Sequence, residues 1–393
     1  MTIRLRNWLG RFAGILFGLM MTWLMLEILL RLFFGALPVT YQQIIRNVHV
    51  TPFTETTILP APVWQPDSTY LHINRPVKNY AGYGSAEVRY LVNTETLWNS
   101  RVAFRTTQAQ VDRHVDAVAI GDSFTFCFTD EEDCWVTRLG EKTGRNIVNM
   151  GIVGTGTVSH ERILRDFGLP LKPELVIWQW FGNDPNEDFG LAQLNGETAI
   201  LPPDDVPAAR RNLTWLHRNS AAVMLLDTLL RHPEDQRAFT WTVPQQCTQP
   251  GSPIDICFGQ PYLWGAFDPN LPGNAYGWER TRSAFSNAQD MASGYGGRLV
   301  VVLIPPAELV YRELAEPLVG ADHYELLAQN HERITALCQA EALTCLDLLP
   351  EFRAYAPKGE QLYYRSDMHL NPYGNEVMAE VLAHYLTTEK IIK

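Results

Sequence analysis

Past its first dozen residues the chain has no run of lysine or arginine, and its 32 basic side chains are outnumbered by 43 acidic ones. A net charge of −11 with no basic stripe offers nothing to neutralise a phosphate backbone, which argues against a nucleic-acid partner. Metal-binding signatures are missing too. None of the six cysteines stands in Cys-x-x-Cys spacing, and no histidine follows one at a zinc-like interval. Gly151, Gly154 and Gly156 do not have the Gly-x-Gly-x-x-Gly spacing of a dinucleotide loop. There is no fixed-period repeat, so no solenoid, and no low-complexity tract. What remains, 46% hydrophobic and 19% charged residues in 393, suffices for one large α/β domain with insertions.

The N-terminus differs from the rest. Arg4, Arg6 and Arg11 precede an apolar run from Phe12 to Leu26, and apolar residues resume beyond Glu27 and Arg31 to Leu37. A helix from Phe12 to Arg31 rises ~28 Å, close to the ~30 Å hydrocarbon core of a bilayer. Arg31 then falls near the far interface, where its stem can snorkel, with Glu27 one turn behind as a partner. Basic residues before the span and none directly after it favour a cytoplasmic N-terminus and a body outside. No small-x-small site follows the run, so a retained single-pass anchor, residues 1–37, is favoured over a cleaved signal peptide or a buried core helix. Membrane lipid is thus an expected partner, and the main domain is expected in the periplasm or extracellular space. The cysteines agree with that location. They fall as Cys127 and Cys134, Cys247 and Cys257, Cys338 and Cys345, three close pairs beyond the anchor. Local pairing is the simplest of 15 connectivities, and disulfides persist in oxidising compartments. Buried free thiols are the alternative.

Residues 38–107 read as a membrane-proximal segment folded onto the main domain, with strand-like pieces at Val88–Val92 and Val102–Arg105 and no site of its own. From Val115 the pattern is strand, helix, strand. Strands are expected at Val115–Gly121, Ile147–Ile152, Leu175–Phe181, Leu299–Ile304 and Leu343–Leu348, and helices at Trp135–Lys142, Val158–Phe167, near Trp278–Ala292, at Tyr324–Ala342 and from Pro372. This alternation predicts a doubly wound α/β domain over 108–393, a five-stranded parallel sheet with helices on both faces. A long insertion, about 189–276, breaks the rhythm. It has its own helix at Ala221–Leu230 and the aromatics Trp215, Trp241, Tyr262, Trp264 and Tyr276. It reads either as a lid or substrate platform or as a unit whose aromatics form a private core.

Ser123 follows the first strand directly, and doubly wound sheets present their chemistry at strand carboxyl ends. A serine is a weak nucleophile without a base, an acid to orient that base, and donors for a developing oxyanion. The later loops supply all three. His369 is placed as general base and Asp367 as its orienting carboxylate. The Ser123 and Gly151 backbone N–H groups and the Asn183 side-chain amide are the candidate oxyanion donors, and glycine at 151 permits a close backbone approach. Asp122 and Asp184 are read as supporting residues, Asp184 as an anchor of its own loop through hydrogen bonds. His160 and His114 read as structural or solvent-facing.

In order, Gly-Asp-Ser-Phe-Thr-Phe (121–126), Gly151 with Gly154-Thr155-Gly156, Gly182-Asn183-Asp184 and Asp-Met-His-Leu-Asn-Pro-Tyr-Gly-Asn (367–375) resemble the blocks of the SGNH/GDSL hydrolase superfamily, membrane-anchored bacterial branch. The likeness spans about Val115 to Leu386. It implies a flavodoxin-like sheet and serine esterase or acyl-transfer activity, with the family's Ser, Gly, Asn and His roles falling on Ser123, Gly151, Asn183 and His369. Two positions depart from the pattern. Many members carry the acid three residues before the histidine, where this chain has Ser366, although branches acting on envelope polysaccharides use the two-residue spacing of Asp367. The glycine that often follows the first block is Cys127.

The resulting expectation is a membrane-anchored, extracytoplasmic serine esterase. It acts without metal or organic cofactor on a small acyl ester, acetyl foremost, of an envelope carbohydrate or lipid. The alternatives are an O-acyltransferase of the same fold, a non-catalytic subunit of a membrane-protein complex that keeps the fold, and a carbohydrate-binding module using the aromatic insertion.

Overall fold

The computed structural model of the chain describes residues 3–33, 63–83, 88–200, 220–230 and 245–392. Its backbone divides into two units, Met1–Ala61 with Pro207–Val243, and Pro62–Val206 with Pro244–Lys393.

The second unit begins with Trp64–Asp67 (β1), Leu71–Asn74 (β2), Val77–Tyr83 (β3), Arg89–Thr96 (β4) and Ala103–Phe104 (β5). They pair antiparallel in the order β1-β2-β5-β4-β3. Two of these strands cover the strand-like pieces of the membrane-proximal segment; the other three carry Pro, Asp, Asn and His and have no alternating pattern that would mark them in isolation.

Ala117–Ile120 (β6), Ile147–Asn149 (β7) and Leu175–Trp180 (β8) follow. After a small hairpin of Gln246–Cys247 (β9) and Cys257–Phe258 (β10) come Arg298–Leu303 (β11) and Cys345–Asp347 (β12). The five longer-range strands form a parallel sheet in the order β12-β11-β8-β6-β7. Counted along the chain that is 2-1-3-4-5, the flavodoxin-like order, and its switch point lies between β6 and β8.

Side-chain alternation explains why both faces are covered. Ala117 and Ala119 of β6, with Leu175 and Ile177 of β8, enter one core with Trp135, Leu139, Val377 and Leu382 of the helices Trp135–Thr143 and Pro372–Thr388. Val118 and Ile120, with Val176, Trp178 and Trp180, enter the other with Ile163, Trp278 and Phe285 of Thr157–Ile163 and Pro272–Ser293. A strand buried on both faces reads as a continuous apolar run, which is why these strands were visible in the sequence.

Several boundaries move. The helix placed at Val158–Phe167 ends at Ile163 and continues as a π-helical turn, Leu164–Gly168. Phe189, taken as the start of the insertion, lies inside a regular helix, Asp184–Leu194, and the helix near Trp278 begins at Pro272. Trp215 and Trp241 lie outside the described residues. The other insertion aromatics divide: Tyr262 and Trp264 pack against the main core, and Tyr276 packs within the insertion. Trp264 stacks on His323 with ring centroids 3.6 Å apart, and Tyr276 meets Phe189 edge-on. All three cysteine pairs are disulfides, 127–134, 247–257 and 338–345.

In the first unit, Ile3–Leu32 is one helix, and its stretch Gly10–Leu32, mean hydropathy 2.0, is long and apolar enough to cross a membrane. Arg31 does not reach outward as expected. It is buried, and its Nε donates to Glu27 Oε1 at 2.8 Å. The Glu27 carboxylate also accepts from the Ser220 hydroxyl and the Ala221 and Ala222 amides at 2.9–3.0 Å. It thus caps the N-terminus of the helix Ala221–Leu230, whose orphan amides favour a negative group.

Candidate active site

Ser123 stands at the carboxyl end of β6 because the chain there makes a single helical turn, Ser123–Phe126. Asp122 caps that turn, its Oδ1 accepting from the Phe124 amide at 2.9 Å. The Asp122 amide and the Thr125 hydroxyl both donate to Gln179 Oε1 of β8 at 3.0 Å, which ties the turn to the neighbouring strand. Cys127 ends the turn with φ +61°, in the region that favours glycine. The departure from the expected glycine is thereby accounted for: position 127 needs a left-handed backbone, and the disulfide to Cys134 holds a side-chain-bearing residue in it.

His369 lies on the loop before Pro372–Thr388. Asn371 caps that helix, accepting from the Gly374 amide at 2.8 Å, and its own amide donates to Leu362. The loop brings His369 Nε2 to 2.7 Å from Ser123 Oγ, although 246 residues separate them. On the other side, His369 Nδ1 lies 2.5 Å from Asp367 Oδ1, which also accepts the His369 amide at 3.0 Å. An ionised carboxylate only accepts, so Nδ1 carries the proton and Nε2 of the neutral ring accepts from the serine hydroxyl. Phe128 and Phe124 flank the imidazole with centroids 4.3 and 4.8 Å away. The carboxylate that meets the imidazole is thus Asp367, two positions before the histidine, and the Ser366 carbonyl accepts from Gln260 Nε2 at 3.1 Å.

The three oxyanion candidates gather at the β6, β7 and β8 ends, on both sides of the switch point. The Ser123 amide opens its helical turn, where no intrahelical acceptor exists. A Cβ at Gly151 would overlap the Phe126 backbone nitrogen, so the close approach expected there is real. The Gly151 N–H, however, already donates to Asn149 Oδ1 at 2.9 Å. Asn183 Nδ2 donates to the Tyr262 hydroxyl at 3.2 Å, leaving its second N–H for another acceptor.

Beneath these loops lies a buried acidic group. Burial pushes Asp122 up to about 6, against the Phe124 amide and His369, which favour its charge. Asp184 is raised well above the ordinary carboxylate range by burial and then by Asp122, Asp188 and Glu187. The reading of Asp184 as a hydrogen-bonded anchor of its own loop does not hold. Neither of its carboxylate oxygens has a hydrogen-bond partner, and Oδ2 faces His160 Nδ1 at 3.8 Å. Anchoring falls to Asp188, one helical turn on, which accepts from the Val158 amide at 2.8 Å and the Thr157 hydroxyl. Burial also lowers His160 to about 3, so it stays neutral, while His114 is solvent-facing.

Three supporting residues were not singled out by their sequence context. Asn74 Nδ2 of β2 donates to the Gly151 carbonyl at 3.0 Å. Arg105, fully buried, donates through Nη1 to the Phe126, Cys127 and Thr129 carbonyls at 2.7–3.1 Å, holding the chain just past the nucleophile turn. Gln179 is the third. Arg105 closes the strand-like piece already noted, but no spacing rule connects it with residue 127. Among the described residues no three His, Cys, Asp or Glu side chains group closely enough to hold a metal ion.

Residues 269–393 match the family model described as the SGNH hydrolase-like domain of acetyltransferase AlgX. The match includes Asp367 and His369 and begins after Ser123, Gly151 and Asn183. No protein of curated function matches the chain by sequence. Solved structures similar to it include an acetyl xylan esterase, AlAXEase, at 13% identity and TM-score 0.36, covering 69% of this chain and 98% of that one. A lipase/acylhydrolase from Enterococcus faecalis is 13% identical over 70% of this chain and 96% of its own, TM-score 0.33. An inhibitor-bound aryl esterase of M. smegmatis is 13% identical over 69% and 98%, TM-score 0.33.

Proposed function

We propose that this chain is a member of the SGNH/GDSL hydrolase superfamily and carries out acyl transfer through an acyl-serine intermediate. The observation that carries the reading is the continuous series from Ser123 Oγ through the imidazole of His369 to Asp367, with contacts of 2.7 and 2.5 Å. Ser123 Oγ attacks the ester carbonyl carbon while His369 Nε2 takes the hydroxyl proton. Asp367 holds the tautomer and stabilises the imidazolium. The Ser123 amide and the second N–H of Asn183 receive the oxyanion, joined by the Gly151 amide if it turns from Asn149. His369 then protonates the leaving oxygen, and a second hydroxyl repeats the cycle in reverse.

We infer a small acyl group, acetyl foremost, on an envelope carbohydrate or lipid. The acetyltransferase description of the matched family favours an acceptor other than water, for which we propose a sugar hydroxyl, with water as the alternative. The apolar N-terminal helix and the three disulfides favour a chain anchored in the membrane with its main domain outside the cytoplasm.

Treating the full chain in detergent with a fluorophosphonate and locating the adduct by mass spectrometry tests the reading. Modification of Ser123 is expected, lost in Ser123→Ala, alongside p-nitrophenyl acetate turnover that Ser123→Ala abolishes. Equal turnover in both proteins would sink it, and an unlabelled wild type would favour a non-catalytic subunit. Partition of acetyl between water and an added oligosaccharide separates hydrolysis from transfer.

A further inference from the structure

One stretch of the insertion, Cys257 to Tyr262, bridges two loops of the candidate site. The disulfide to Cys247 pins one end. The Cys257 amide donates to the Arg365 carbonyl at 2.6 Å and Gln260 Nε2 to the Ser366 carbonyl at 3.1 Å, both on the loop that carries Asp367 and His369. At the other end, the Tyr262 hydroxyl contacts Asn183.

The direction of that last contact matters. An Asn side chain can present either its oxygen or its NH2 group to a given neighbour, and its surroundings choose. The Tyr262 hydroxyl donates to Glu187 Oε1. A carboxylate cannot donate in return, so the phenol proton is committed to Glu187 and the phenol oxygen faces Asn183 as an acceptor. Only Nδ2 of Asn183 can satisfy it, at 3.2 Å. The choice has a cost, because Asn183 Oδ1 is buried with no hydrogen-bond partner. Something must hold the amide in this orientation, and the Glu187–Tyr262 pair is placed to do so.

We propose that Tyr262, polarised by Glu187, is a positioning residue that keeps the Asn183 NH2 group, rather than its oxygen, available to the oxyanion, on a disulfide-pinned strap that also braces the His369 loop. This rests on the acyl-serine reading. Without the pair, Asn183 can rotate its carbonyl toward the developing charge, replacing a donor by a repulsive acceptor.

The test uses full-length chain in detergent, p-nitrophenyl acetate kinetics and a two-by-two set of Tyr262→Phe and Asn183→Ala. Losing a single oxyanion donor costs about 10²–10³-fold in kcat, so Tyr262→Phe is expected to lose roughly 10–100-fold, with KM changed less than about 3-fold. In the Asn183→Ala background Tyr262→Phe should cost nothing further, a coupling that a merely structural tyrosine would not produce. Glu187→Ala, which leaves the tyrosine ring packing intact, should reproduce the loss and covers the case in which Tyr262→Phe lowers the melting temperature. Losses that multiply across the cycle, or Tyr262→Phe and Glu187→Ala both within about 2-fold of wild type, overturn the proposal. A wild type with no fluorophosphonate adduct would instead refute the acyl-serine reading and take this proposal with it.

Discussion

The two walls of the site are held in contrasting ways. On the serine–histidine wall the decisive local contacts are short in sequence: Asp122 caps an amide two residues on, and Asp367 reaches the imidazole two residues away. On the Asn183 wall the partner is 79 residues distant. The first wall also needs long contacts to close: Ser123 meets His369 across 246 residues, and Arg105, more than 20 residues upstream, holds the carbonyls past the nucleophile turn. Short contacts leave a spacing that can be read; long ones leave only isolated residue types. The first wall is thus two short motifs that folding joins, and the second has no motif to join.

Four outcomes would sharpen or break that contrast. The largest is on the motif wall: His369→Ala should lower turnover of an activated ester about 10⁵-fold, because the base is removed outright. Asp367→Asn should cost about 10³–10⁴-fold in kcat with little change in stability, since the imidazole keeps its place but adopts the wrong tautomer. A loss under about tenfold would mean that the short-range acid is not the orienting group. Across the fold, Arg105→Met should destabilise by about 3–5 kcal/mol in urea unfolding, leaving three buried carbonyls without their charged donor. If it unfolds no earlier than wild type, the long-range bracing of the nucleophile turn is not needed for stability.

The smallest effect concerns the buried acids. Burial raises Asp188 to about 7 in the folded chain, above the unfolded value near 3.8. A raised carboxyl binds its proton more tightly when folded. Its contribution is therefore fully present below about pH 4 and is lost as pH climbs toward 7, at up to about 1.4 kcal/mol per pH unit. Asp188→Asn should flatten part of the fall in unfolding free energy between pH 5 and pH 7, the remainder belonging to Asp122 and Asp184. An unchanged slope would remove Asp188 from the set of groups that stay protonated.

Much of this was legible beforehand for a physical reason. Strands buried on two faces are largely apolar, so all five parallel strands were found, with no end off by more than three residues. The cysteines paired with their nearest neighbours, as the shortest loops allow. The antiparallel sheet was half seen, because β1, β2 and β3 are short, polar and satisfied by partners that no local pattern names. The role of Asp184 was misjudged for a related reason. An Asp beside a helix start ordinarily bonds nearby amides, but here Asp188 takes the Thr157 and Val158 donors and leaves Asp184 facing His160.

Residue spacing along the chain settled the order of the parallel strands' loops, the nucleophile turn and the acid–imidazole pair, since each depends on contacts within a few positions or on unbroken apolar runs. Which end of Asn183 faces inward, what braces residue 127 and which acid stays unpaired were decided only when distant segments met. Those choices rest on hydrogen-bond direction and burial, and neither exists before the chain has closed around them.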